Sequence, residues 1–138
     1  MSTARETWLH RWFAAGDAGD VDAFDEMLHP DVVVHAPMGL STNGIDAEKE
    51  VWREAVAAMP DLSHEIQDAW ETAAGMAARV RVSGTHERTF GGIEATGRWF
   101  EVDQAIFVHL RNGRATEIWE VVDTASLLRQ LGQLPADA

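Results

Sequence analysis

Asp123 closes the mostly apolar run Ile118-Trp-Glu-Val-Val122 and stands directly before the helical pattern Thr124-Ala-Ser-Leu-Leu-Arg-Gln-Leu131. A carboxyl set against an apolar wall is held partly neutral, because burial disfavours its charged form. Such a group can take up a proton in one step and return it in the next. Side chains alternate along a regular strand, so Trp119 and Val121 share the face of Asp123 and give it an aromatic wall. Aspartate is also a favoured helix N-cap. The residues alone leave both roles open, and the choice between them carries the function.

His109 is the second candidate, and its direction depends on the turn Arg111-Asn-Gly-Arg114. With a two-residue loop, Arg111 pairs with Arg114, and His109 opposes Thr116 and faces away from Asp123. With a three-residue loop and Gly113 left-handed, Leu110 pairs with Arg114. His109 then opposes Ala115 and shares the face of Glu117, Trp119, Val121 and Asp123. Further binding candidates follow the same logic. His86 continues the alternation Ala78, Val80, Val82, Gly84, and His35 ends a run of three valines. Trp12, Trp52, Trp119, Phe107 and Val121 offer flat or apolar wall, and indole faces stack on aromatic rings. His10, His29 and His64 read as structural or surface residues.

The chain has no cysteine, which removes thiolate metal sites, disulfides and Cys nucleophiles. His86, His109 and Asp123 lack the close spacings of a metal motif. Gly91-Gly92 is not followed by the Lys-Ser/Thr of a phosphate loop. Neither a metal nor a cofactor is expected. A net charge of -12, from 23 acidic and 11 basic residues, repels a phosphate backbone, so nucleic acid is not an expected partner. No apolar run reaches the roughly 18 residues of a membrane span, and the N-terminus lacks a secretory pattern. The expectation is a cytoplasmic protein with no membrane partner.

The elements that must position these groups follow from periodicity. Thr3-Ala-Arg-Glu6 fits a capping box and opens a helix over residues 4 to 15, with Trp8, Trp12 and Phe13 on one face. Asp20 caps a second helix carrying Val21, Phe24, Met27 and Leu28, which Pro30 ends. A short strand covers Val32 to His35, and residues 37 to 44 form a loop. A third helix starts at Asn43 or Gly44, buries Val51, Trp52, Ala55, Val56 and Met59, and stops at Pro60. The period then changes to two. Strands run through His64 to Trp70, Ala78 to Val82, residues 98 to 110 and residues 115 to 122. Asn112-Gly113 between the last two is a strong hairpin signal. The last helix ends at Gly132.

Helices first and a strand meander later give an α+β class. A curled mixed or antiparallel sheet packs on three N-terminal helices around a deep pocket. One domain spans 1–138, with 133–138 a frayed tail. Phe100, Val102, Ile106 and Val108 share one sheet face, and Trp99, Ala105 and Phe107 the other. Ile118 and Val122 are placed outward. Apolarity on both faces predicts a homo-oligomer, dimer or tetramer, packed sheet on sheet.

Three stretches carry a resemblance. They are Gly16 to His35; Gly84-Thr-His86 with Phe90-Gly-Gly-Ile93 and Thr96-Gly-Arg98; and Gly113-Arg114, Glu117, Trp119, Asp123 and Leu127-Leu-Arg-Gln-Leu-Gly132. Together they resemble the SnoaL-like polyketide cyclases of the NTF2-like superfamily over nearly the whole chain. The resemblance implies a cone-shaped barrel and cofactor-free aldol closure of an aromatic, anthracycline-like polyketide. It also implies that Asp123 is the acid/base, with His109 beside it and a polycyclic small molecule as partner. Many relatives carry Arg where this chain has His109. Relatives of this fold include hydroxylases of similar substrates, so that reaction and a non-catalytic ligand-binding or assembly role stand as alternatives.

Overall fold

The computed structural model describes residues 6–135. Helix α1 (Trp8–Asp17) is followed by a 3₁₀ turn (Val21–Glu26) and strands β1 (Leu28–His35) and β2 (Thr42–Asn43). Helix α2 (Ile45–Ala58) leads to β3 (Ser63–Thr72), β4 (Gly75–Thr85), β5 (Trp99–Arg111) and β6 (Arg114–Val122). Helix α3 (Thr124–Gln130) closes the order. The six strands form one mixed sheet in the order β2-β1-β6-β5-β4-β3, with β1 and β6 parallel and the other pairs antiparallel.

The N-terminal half departs from expectation in two places. Helix α1 is capped by Thr7, whose hydroxyl accepts from His10 N–H while its own N–H donates to His10 Nδ1. The proposed box at Thr3 has its first three residues outside the described region. The second expected helix is a six-residue 3₁₀ turn, and the chain is already extended at Leu28. So short a segment gains little from α-helix nucleation. Sheet pairing of Leu28 with Ala115 claims the backbone instead, and Pro30 is tolerated where the β1–β6 register slips. Two α-helices and a 3₁₀ turn therefore precede β3, in place of three helices.

Trp12 is the hub of the core. Fully buried, it lies 5.4 Å from Trp8, 5.6 Å from Phe13, 5.9 Å from Phe24 and 5.3 Å from Trp52, ring centre to ring centre. The contact with Trp52 locks α1 to α2. Gly16 makes that approach possible, because a Cβ there would sit 2.5 Å from the Trp52 ring.

The β5–β6 hairpin combines parts of both sequence alternatives. Asn112 and Gly113 both have positive φ (53° and 80°), the tight two-residue turn, and Arg111 pairs with Arg114. Leu110 then pairs with Ala115, but His109 pairs with Glu117. Thr116 is the extra residue of a bulge, and beyond it the faces of β6 exchange. Ala115 and Ile118 are consequently both buried against the core. Ile118 and Val122 point inward, opposite to expectation, while Trp119 and Val121 point outward with Phe107. Among the described residues no helix is long and apolar enough to cross a membrane.

Gly16→Ala should destabilise the protein by about 1–3 kcal/mol, the usual range for forcing a methyl into a packed core. Urea denaturation checks this. An unchanged midpoint would show that α1 and α2 can separate at no cost.

Candidate active site

Between α2, α3 and the inner sheet face lies a cavity of about 150 Å³. Its wall is mostly apolar, from Val51, Trp52, Ala55, Phe100, Val102 and Leu127 among others. Into this wall project Glu48, Glu120, Gln104, His86 and His64.

Glu48 belongs to the apolar face of α2, one helical turn before Trp52, and is 2% exposed. Its two oxygens accept from Thr42 Oγ1 at 2.8 Å and Trp52 Nε1 at 3.1 Å. It also stands in the first turn of α2, where the helix dipole favours negative charge. Burial outweighs the two donors and pushes its pKa up to about 7. Glu120 lies on the inner face of β6 opposite Ile106. Glu120 is half-buried and lines the cavity, and among the described residues no hydrogen-bond donor reaches its carboxyl. Burial first, and the negative charge of Glu48 second, push its pKa up to about 8. The pair therefore shares protons near neutrality, with Glu48 held by donors and Glu120 unencumbered. Gln104 neighbours Glu120 diagonally across the β5–β6 ladder and is 5% exposed. His64 is fixed, with Nδ1 2.7 Å and its backbone N–H 2.9 Å from the Asp17 carboxylate and its ring stacked on Phe13.

Of the residues singled out from sequence, Trp52 and His86 line this cavity. Trp12 is core. Asp123 is exposed and caps α3, its Oδ1 accepting from Ser126 N–H at 3.1 Å. His109, Trp119, His35, Phe107 and Val121 are on the outer face of the sheet. There Trp119 stacks on His35 at 5.3 Å and meets the edge of His109 at 4.8 Å, while His35 Nε2 lies 2.6 Å from Glu117 Oε2. The physical reason is the Thr116 bulge, which turns the odd-numbered residues of β6 away from the helices. Glu120, Glu48 and Gln104 escaped the sequence reading. Each left a trace, because each is a polar side chain in an otherwise apolar periodic row. Among the described residues no group of three His, Asp or Glu side chains is arranged to hold a metal ion.

A family model described as SnoaL-like polyketide cyclase matches residues 5–131. TsrD from Streptomyces laurentii superposes with a TM-score of 0.83 at 28% identity, covering 92% of this chain and 93% of that one. IdmH from Streptomyces antibioticus, described as a putative polyketide cyclase, superposes at 0.76 with 30% identity over 91% and 96% of the two chains. AclR from Streptomyces galilaeus, described as a putative hydroxylase, shares the fold at 0.77 with 23% identity over 93% and 95%. No curated protein sequence matches the chain.

The raised carboxyl pKa values bear on stability. Between about pH 4.5 and 8 the folded protein keeps protons on Glu48 and Glu120 that the unfolded chain has released. Their contribution to stability therefore falls as pH rises through that window and levels off above it. Glu120→Gln should flatten the decline in melting temperature between pH 5 and 8, read in a matched pH series. Equal slopes in the two proteins would mean that Glu120 titrates as an ordinary carboxyl.

Proposed function

The chain belongs to the SnoaL-like polyketide cyclases, and from that membership we propose that it closes a ring of a polycyclic aromatic polyketide by an aldol reaction in which Glu120 moves the proton. The observation that carries this reading is the Glu120 carboxyl, which no donor among the described residues reaches, lining an apolar cavity with a second carboxyl that donors hold. In its ionised form Glu120 removes a proton alpha to a substrate carbonyl. The enolate carbon attacks a second carbonyl, forming the C–C bond, and the new alkoxide takes the proton back from Glu120. Atoms and electrons balance within the substrate, so the step needs no co-reactant. A base in an apolar cavity with a pKa near the working pH suits this two-way transfer. Gln104, on the same face, is placed to donate its amide N–H to the enolate oxygen. A cavity of about 150 Å³ takes one or two rings, so the reacting end of the substrate enters and the remainder lies toward the loops after β1 and β4. The identity of the substrate as anthracycline-like rests on the family resemblance.

Glu120→Gln should lower turnover by roughly 10²–10⁴-fold, the usual worth of a positioned acid/base. Asp123→Asn should retain activity, since that side chain caps a helix at the surface. Glu48→Gln removes the like charge, so the rise of kcat/KM with pH through about 8 should move to lower pH. Anaerobic assays with acyclic-end polyketide precursors read ring closure directly. Product formed only with oxygen and a reductant would favour the hydroxylase alternative. An active Glu120→Gln variant would remove the acid/base assignment.

The outer face supports the oligomeric part of the proposal, with a second copy of this chain as the occupant. Trp70, Ala77, Phe107, Trp119 and His35 lie in register across β3, β4, β5, β6 and β1. Trp70, Trp99, Phe107 and Val121 are 63%, 58%, 47% and 59% exposed. A row of this kind exceeds the scattered apolar residues of ordinary surfaces. Light scattering over a dilution series should give at least twice the 15.2 kDa chain mass. Phe107→Glu should shift the mass toward the monomer. A wild-type mass of 15.2 kDa at every concentration overturns the oligomer.

A further inference from the structure

Reading the cavity as a substrate site leaves one polar group without a task. His86 follows β4 and is held across the loop by His86 N–H to Arg98 O at 2.9 Å and Gly97 N–H to His86 O at 2.8 Å. Glu120, by contrast, is in register with Ile106, eight residues further along that strand. At about 3.3 Å per residue this is roughly 26 Å of contour, shortened in space by the curl of the sheet. The imidazole and the Glu120 carboxyl thus line one cavity at positions set apart along the sheet.

His86 is 2% exposed, and among the described residues its Nε2 has no partner. Around it the wall is apolar, from Phe90, Ile93, Phe100 and Leu131. A buried ring nitrogen with nothing to bond to is a cost that the fold does not recover by itself. The other nitrogen, Nδ1, lies 3.1 Å from Thr96 Oγ1. That oxygen also accepts from Arg98 N–H at 3.3 Å and keeps its hydroxyl hydrogen to donate to Nδ1. In that arrangement Nδ1 is the acceptor and the ring proton resides on Nε2, facing the cavity. Among the described residues no lysine or arginine lines the cavity, so nothing there compensates an anionic ligand.

We propose that His86 forms a second polar subsite, in which Nε2–H donates to an uncharged carbonyl oxygen (ketone, quinone or ester) at the end of the substrate remote from the reacting carbon. Thr96 is its positioning residue and acts by setting the tautomer. A free carboxylate is rejected at this end because the wall there is apolar and, among the described residues, no lysine or arginine lines the cavity to pair with its charge.

The test reads binding, so it stands apart from turnover. Protein labelled with ¹⁵N-histidine is titrated with methyl 1-naphthoate and, separately, with 1-naphthoate, and the His86 ring signals are identified by their loss in His86→Gln. The free protein should show the Nε2–H tautomer, and the ester should shift the Nε2 signal. The acid should bind at least about tenfold more weakly than the ester, as should the ester to His86→Leu, the size of one hydrogen bond. Thr96→Val, which leaves the buried imidazole in place, should move the ring toward the Nδ1–H tautomer and weaken the ester. Glu120→Gln should bind the ester as the wild type does. An Nδ1–H tautomer in the free protein, an ester that leaves His86 unchanged up to its solubility limit, or an acid that binds equally well would each overturn the subsite. An active Glu120→Gln variant with normal ester binding would instead overturn the acid/base assignment and leave the subsite standing.

Discussion

One extra residue in β6 decides which chemistry faces the interior. The bulge at Thr116 lets both Ala115 and Ile118 pack against the core, although they are three residues apart. Without it, strand alternation would send Glu117, Trp119 and Val121 to the helices and leave Glu120 in solvent. The choice is thermodynamic. The observed arrangement buries Ile118 completely and aligns it with the equally buried Val108 of β5. The carboxyl of Glu120 is carried inward by this apolar pairing, and its elevated pKa is the consequence.

Two carboxyls in one apolar cavity are costly unless protons or donors relieve them. The structure does this asymmetrically. Glu48 receives the Thr42 hydroxyl, the Trp52 indole and the N-terminal end of α2, and Glu120 receives none of these. Trp52 itself is fixed by Trp12 and by the absence of a side chain at Gly16. A continuous path of packing therefore runs from the centre of the core to the orientation of Glu48. The cavity is thus prepared electrostatically by the same contacts that hold α1 and α2 together.

The two faces of the sheet divide the aromatic residues between two tasks. Inside, Trp52 and Phe100 shape the cavity wall. Outside, Trp70, Phe107 and Trp119 make a cross-strand row, with His35 and His109 against the Trp119 ring. The outer histidines look like site residues in the sequence because histidine beside tryptophan and glutamate is a common feature of both sites and interfaces. Their position on the convex side makes them part of a surface.

The sequence by itself determined the α+β class, the hairpin at Asn112-Gly113, the start of α2 at Asn43 or Gly44 and the family, and it left Asp123 open between a helix cap and an acid/base. These are local properties, set by periodicity, turn chemistry and capping within a few residues, or by motifs that lie close together along the chain. The inward path of Ala78, Val80, Val82 and His86 was equally legible, because a regular strand keeps its parity. Tertiary structure alone decided that Leu28 would leave a helical pattern to pair with Ala115. It alone decided that Glu48 and Glu120, far apart in sequence, would share one cavity. The face of β6 was undecidable from its own residues, since Trp119, Val121, Ile118 and Val122 are apolar on both sides. A one-residue bulge costs little locally and reverses every side chain beyond it, and only the packing of the whole sheet against α2 and α3 selects its position.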